Sequence, residues 1–184
     1  MVDRTDLMKQ CRDKAFYAFG TSKIFERRMR RLEVRRGWIT YLGILVPLLV
    51  GSLVLSFGKE WLAHLAVPAG IVGALQLSLS VWSVVAKWDD KYAYALTAMQ
   101  AQTKLFNAWD SLPKRKPADL EQQVNSLDAE DQRQESADLA QNISDKEKHF
   151  AMRASLFHFG NACQICRIKP TSMKSSKCDM CGNF

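Results

Sequence analysis

Two stretches interrupt an otherwise mixed pattern of apolar and polar residues. Positions 37–57 carry no charge, and positions 62–86 carry a single ionisable group, His64. At ~1.5 Å per residue, the helices they predict reach about 31 and 37 Å. A bilayer hydrocarbon core is ~30 Å thick, so each can span it. A helix in a globular core normally shows a polar face, and neither stretch does until the end of the second. The pattern therefore predicts two membrane spans. Only Gly58, Lys59, Glu60 and Trp61 join them, which forces a tight hairpin with Trp61 suited to the interface.

Finer patterns lie inside the spans. Ala66, Gly70, Ala74 and Ser78 recur every four residues, a ladder of small side chains that lets another helix approach closely. Gln76, Ser80, Ser83 and Lys87 form a polar stripe on a different face. A buried amide in hydrocarbon requires a partner or water. Two readings follow: an interhelical hydrogen bond that glues the hairpin, or a stripe facing a wet pore in an oligomer. Gly43, Pro47 and Gly51 give the first span a close-packing face and a kink at Pro47. Pro68 predicts a bend in the second span, and His64 reads as an interfacial histidine.

The flanks read as helices. The N-terminal segment is helical to Phe19 and interrupted at Gly20, Thr21 and Ser22, with Ser22 as a cap. A second helix with Phe25, Met29 and Leu32 on one stripe runs into the first span. Beyond the second span no breaker intervenes. Trp88, Tyr92, Ala95, Met99, Phe106 and Trp109 keep a helical period, which predicts an extension to about Leu112, ended by Pro113–Pro117. Positions 118–142 are polar and acidic, consistent with a solvated or a partly mobile helix. Ser144 and Glu147 form a capping box that opens a last helix with Phe150, Ala154 and Phe157, and Gly160 suits its end. The organisation is thus basic amphipathic helices over 1–36, a hairpin over 37–86, a helical region over 87–160, and a tail over 161–184.

Charge adds an orientation. The chain has 184 residues and a formal net charge of +7. Arg27, Arg28, Arg30, Arg31, Arg35 and Arg36 precede the first span, and Lys87 and Lys91 follow the second. The positive-inside rule places both termini in the cytoplasm. So placed, the arginines suit anionic lipid headgroups better than nucleic acid, and nucleic acid is not otherwise indicated. A cleaved signal peptide is not expected, because the basic stretch is long and no small-residue cleavage site follows the span. Positions 1–36 hold 11 basic and 5 acidic side chains, whereas 118–148 hold 3 and 9. Pairing between these segments and simple solvation are both open.

Four of the five cysteines cluster at the end, as Cys163-Gln-Ile-Cys166 and, after eleven residues, Cys178-Asp-Met-Cys181. Two CxxC hooks supply four thiolates, enough for a closed tetrahedral zinc site. An iron–sulfur centre or a redox switch is the alternative; structural disulfides are disfavoured in a reducing compartment. Four protein ligands leave no open position, so the metal is expected to be structural. Some twenty residues cannot bury a core, so the metal supplies much of their folding. His158 is not needed as a ligand, and Cys11 reads as a small apolar side chain.

With its basic helix, two-span hairpin and long helical return, the chain resembles the SLATT family of bacterial two-transmembrane effectors. Its tail is similar to a related family defined by a CxxC-x11-CxxC signature and found among mobile elements, matched at Cys163, Cys166, Cys178 and Cys181. The resemblance implies a role in antiphage conflict. It implies an inner-membrane protein that permeabilises the membrane when triggered by a partner sensor or a nucleotide signal. One hairpin cannot enclose a water path, so this reading requires a homo-oligomer. The alternative is a membrane-anchored zinc adaptor that recruits a cytoplasmic partner. An enzyme is not expected. The sequence has no phosphate loop, no Ser/His/Asp order and no metal site with an open position, and its three histidines share no catalytic spacing.

Overall fold

A computed structural model describes residues 4–57, 60–115 and 118–184, with side chains described outside 57–65. The turn expected at Gly58 and Lys59, the side chains of Trp61 and His64, and the Lys116–Pro117 end of the predicted break lie outside the described residues. The described residues are mainly helical: α1 (Arg4–Phe57), α2 (Glu60–Val85), α3 (Trp88–Arg115), α4 (Leu120–Leu139) and α5 (Asp145–Phe159), with an irregular tail over 160–184. No strand occurs among the described residues. The chain divides into two compact units. One comprises residues through Arg27 together with Ala95–Phe184, and the other Arg28–Tyr94.

The first unit holds the core. Leu7, Cys11, Ala15 and Ala18 form a stripe at steps of four, four and three along α1. They pack against Leu105, Trp109 and Leu112 of α3 and Leu120 and Val124 of α4, with Phe106, Leu127 and Phe159 against the cluster. This explains why the acidic segment is a regular helix. Leu120 and Val124 reach the core, while Leu139 stays 76% exposed at the far end. The oppositely charged segments do meet. Lys14 Nζ lies 2.8 Å from both Asp128 Oδ1 and Asp131 Oδ2. Buried Asp138 accepts from Gln102 Nε2 at 2.7 Å and Gln134 Nε2 at 2.9 Å. Burial opposes the Lys14 charge, but its hydrogen bonds and attraction to Asp128 and Asp131 prevail and hold its pKa above the usual lysine value.

Three local expectations are corrected. Helix α1 runs unbroken through Gly20–Ser22, and Ser22 Oγ donates to Phe19 O at 2.7 Å instead of capping a new helix. Gly20 is a crossing point: a Cβ there would meet Ser155 Oγ of α5 at 2.8 Å and Ala151 O at 3.2 Å. Close packing outweighs the weak helix propensity of glycine. The second correction is a break between α2 and α3. Lys87 takes a left-handed φ of 52°, its N–H bonds Val84 O at 3.0 Å, and its carbonyl accepts from Lys91 N at 3.0 Å to begin a new helix. Asp89 and Asp90 in the first turn of α3 complement its positive end. Third, α3 continues through Pro113 to Arg115. In a last turn, proline gives up little of the hydrogen-bond ladder. The final helix is as expected, with Ser144 and Glu147 bonding reciprocally and Gly160 at φ 66°.

In the second unit, α1 and α2 each contain a stretch long and apolar enough to cross a membrane, and neither stretch is buried. Half-buried positions recur helically: Ile39, Leu42, Gly43, Val46, Val50 and Leu53 on α1, and Ala69, Gly73, Gln76, Ser80 and Ser83 on α2.

Candidate metal centre

The first hook begins where α5 ends. Gly160 closes the helix, Asn161 N–H bonds back to Leu156 O at 3.0 Å, and Cys163 follows two residues later. Arg167 N–H then donates to Cys163 O at 2.8 Å, with Arg167 at φ 57°. The second hook repeats the turn: Gly182 N–H donates to Cys178 O at 2.9 Å. A Cβ at Gly182 would lie 2.2 Å from Ser176 O, so only glycine fits there.

These two turns bring the four sulfurs within 4.8 Å of one another. Across the hooks, Cys163 Sγ lies 3.9 Å from Cys178 Sγ, and Cys166 Sγ lies 3.8 Å from Cys181 Sγ. Thiolates ~2.3 Å from one tetrahedral ion would be about 3.8 Å apart, so the donor set fits a single metal ion. The electrostatics favour a cation. Backbone N–H groups of Cys181 and Met180 draw the Cys178 thiol down to about 6. Burial, with the surrounding thiols, pushes Cys181 up to about 12. Four clustered thiols cannot all ionise unless a cation offsets their repulsion.

The centre is seated on the helices. Cys163 and Cys181 are buried with Leu156, against Phe16 of α1 and Met152 of α5. Arg153 of α5 reaches the second hook, and Arg27 of α1 lies over the Phe150 ring at 4.5 Å and the Phe184 ring at 5.9 Å. Sequence reasoning missed Arg153, Met152 and Phe16 because nothing local marks them. Gly182 did carry a signal, since a glycine directly after CxxC suits a tight turn. His158 stacks on Phe19 at 4.1 Å and is not among the clustered ligands.

The other candidate residues fall as follows. Gln76, Ser80 and Ser83 share a half-buried face, where Gln76 Nε2 would lie 2.6 Å from a Cβ on Gly43. Ser83 Oγ bonds back to Ser80 O at 2.8 Å. Ala66, Gly70, Ala74 and Gly51 are exposed, with no atom within 4 Å of a Cβ at Gly51 or Gly70. Among the arginines, Arg36 pairs with Asp89 at 2.9 Å and lies over Tyr92, and Arg35 lies over Trp88. Arg30 and Arg31 are exposed, and Arg28 is half-buried.

Comparison with curated proteins and with solved structures finds no match. A family model described as mobilome CxxCx(11)CxxC protein matches residues 8–184. With both hooks at the defining spacing and nearly the whole length matched, the chain belongs to the mobilome CxxCx(11)CxxC protein family.

Proposed function

We propose that this protein is a SLATT-like membrane effector of a bacterial conflict system. It sits in the inner membrane with both termini in the cytoplasm, oligomerises, and permeabilises the bilayer when a partner protein or nucleotide signal triggers it. The observation that carries this reading is the exposure of both apolar stretches. Leu55 is 89% exposed, Val84 74% and Leu77 69%, far beyond what a helix in a soluble core tolerates. The polar stripe supports a closed resting state, since Gln76 approaches Gly43 in the single chain. The exposed ladder of Ala66, Gly70 and Ala74 supports assembly through close helix contacts. Opening would exchange the intramolecular partner of the stripe for water. Arg30 and Arg31 would meet anionic headgroups. The hooks would hold structural Zn²⁺, which accepts four tetrahedral thiolates without a geometric preference of its own.

A second reading, a membrane-anchored zinc adaptor, is favoured by the tail surface, where Ile165 and Ile168 are 59% and 66% exposed. Dye release from proteoliposomes of the full chain separates the two. The effector reading expects leak that grows with protein density, and loss of leak with normal insertion in Gln76→Leu/Ser80→Leu. Equal leak from that variant would refute the stripe assignment. An inserted protein that leaks at no density with its triggering partner present would leave the adaptor.

A further inference from the structure

The two hooks are anchored differently. The first grows directly out of α5, three residues beyond its glycine cap, so the helix itself places Cys163 and Cys166. The second lies beyond an eleven-residue connection and has no helix of its own. Cys181 packs on Leu156 and Met152 of α5, and the side chain of Arg153 adds hydrogen bonds from α5. Arg153 Nε donates to Ser172 O at 2.9 Å, and its Nη1 reaches Ser176 Oγ at 3.4 Å and Cys181 O at 3.3 Å. These acceptors surround the turn that carries Cys178 and Cys181. The same loop closes on itself through Asn183 N–H to Ser176 O at 2.7 Å. Arg153 projects from the helix that crosses α1 at Gly20, where Ser155 Oγ donates to Phe16 O at 2.8 Å. A planar guanidinium directs donors from separate nitrogens in a fixed fork, here Nε and Nη1, to acceptors that are apart, whereas an ammonium presents all its donors from one atom.

We infer that Arg153 is a positioning residue for the metal: it holds the second hook against α5 so that all four sulfurs face one point before the ion arrives. Without it, the connection between the hooks loses its hydrogen bonds to α5, and more of the metal's binding free energy is consumed in ordering that loop. The inference rests on the metal reading of the four cysteines, and the test separates the two.

Metal-stripped full-length protein in detergent is titrated with Co²⁺, then with Zn²⁺ against a chromophoric chelator. Loss of a residue that orients metal ligands typically weakens metal affinity about ten- to a hundredfold, and that range is expected for Arg153→Ala. At saturation, the variant's Co²⁺ spectrum should still be that of four tetrahedral thiolates, because no ligand has been removed. Arg153→Lys should weaken binding similarly, so charge alone does not rescue. It also stands in if Arg153→Ala does not fold. Wild-type affinity in either folded variant overturns the inference. A saturated spectrum that has lost thiolate character also overturns it, since the residue would then decide which ligands bind and not where they are held. Failure of the unsubstituted protein to bind either ion would instead refute the metal centre.

Discussion

A single methyl group at Gly20 tests whether α1 and α5 are held as close as described. In Gly20→Ala, the new Cβ would sit 2.8 Å from Ser155 Oγ, 3.2 Å from Ala151 O and 3.3 Å from Ala151 Cβ. Alanine improves helix propensity by about 1 kcal/mol. Overpacking a tight contact costs about 1–3 kcal/mol. Ser155 is 1% exposed, so its hydroxyl has nowhere to turn without giving up the bond to Phe16 O. That loss adds about 0.5–1.5 kcal/mol. The net expectation is destabilisation of about 2 kcal/mol, roughly thirtyfold in an opening equilibrium. Cys11 reports it: the thiol is fully buried in the α1–α3–α4 core, and burial raises its pKa, so it reacts only when α1 lifts away. Maleimide labelling of metal-loaded protein, mapped to the Cys11 peptide, should accelerate about thirtyfold. Adding Ser155→Ala removes the nearest clashing atom, so the double variant should lose less than the sum of the singles. Labelling of Gly20→Ala at the parent rate or slower would refute the close crossing.

Other perturbations probe the remaining contacts. Lys14 has a raised folded pKa, so its contribution is fully present below the ordinary value of 10.5 and lost as pH rises through the folded value. Lys14→Met should cost about 1–3 kcal/mol at neutral pH by leaving Asp128 and Asp131 facing each other, and should abolish that alkaline dependence in thermal melts. Gly182→Ala places a Cβ 2.2 Å from Ser176 O, so metal per chain, read by atomic emission, should fall well below one while helicity persists. Chelating the metal should accelerate amide exchange at Gly182 and Asn183, whose N–H groups bond Cys178 O and Ser176 O, while Trp109 stays protected. Gly43→Ala places a Cβ 2.6 Å from Gln76 Nε2, the far end of a flexible side chain, so the amide should swing aside and the melting temperature should change little, with a gain in helix propensity of about 1 kcal/mol offsetting the displacement.

Features with local causes were legible in the sequence. The capping box at Ser144 and the left-handed Gly160 delimit α5 because both signals act within one turn. The four-cysteine cluster was legible because a hook of two cysteines needs little beyond its own turn. Gly20 was misread because a glycine looks the same whether it ends a helix or admits a neighbour, and only Ser155 and Ala151, some 130 residues away, decide between them. Lys87 was missed because a lysine at positive φ has no composition signature. For α4 the sequence allowed two states, and the contacts of Leu120 and Val124 with α1 and α3 select the ordered one. Arg153 is one basic residue among many until the tail folds back over it.

The core of the first unit joins residues 7–18 to residues 105–124, and the apolar stretches are translated in between. A ribosome adds about 5–20 residues per second, so Leu7, Cys11, Ala15 and Ala18 wait roughly 5–20 s for Trp109 and Val124 to emerge. During that interval the nascent chain displays an uncovered amphipathic stripe ahead of its most insoluble segment. Folding of the helical unit is therefore timed by elongation across positions 19–104. Synonymous codon changes confined to that interval should alter the yield of folded protein while leaving every side chain unchanged.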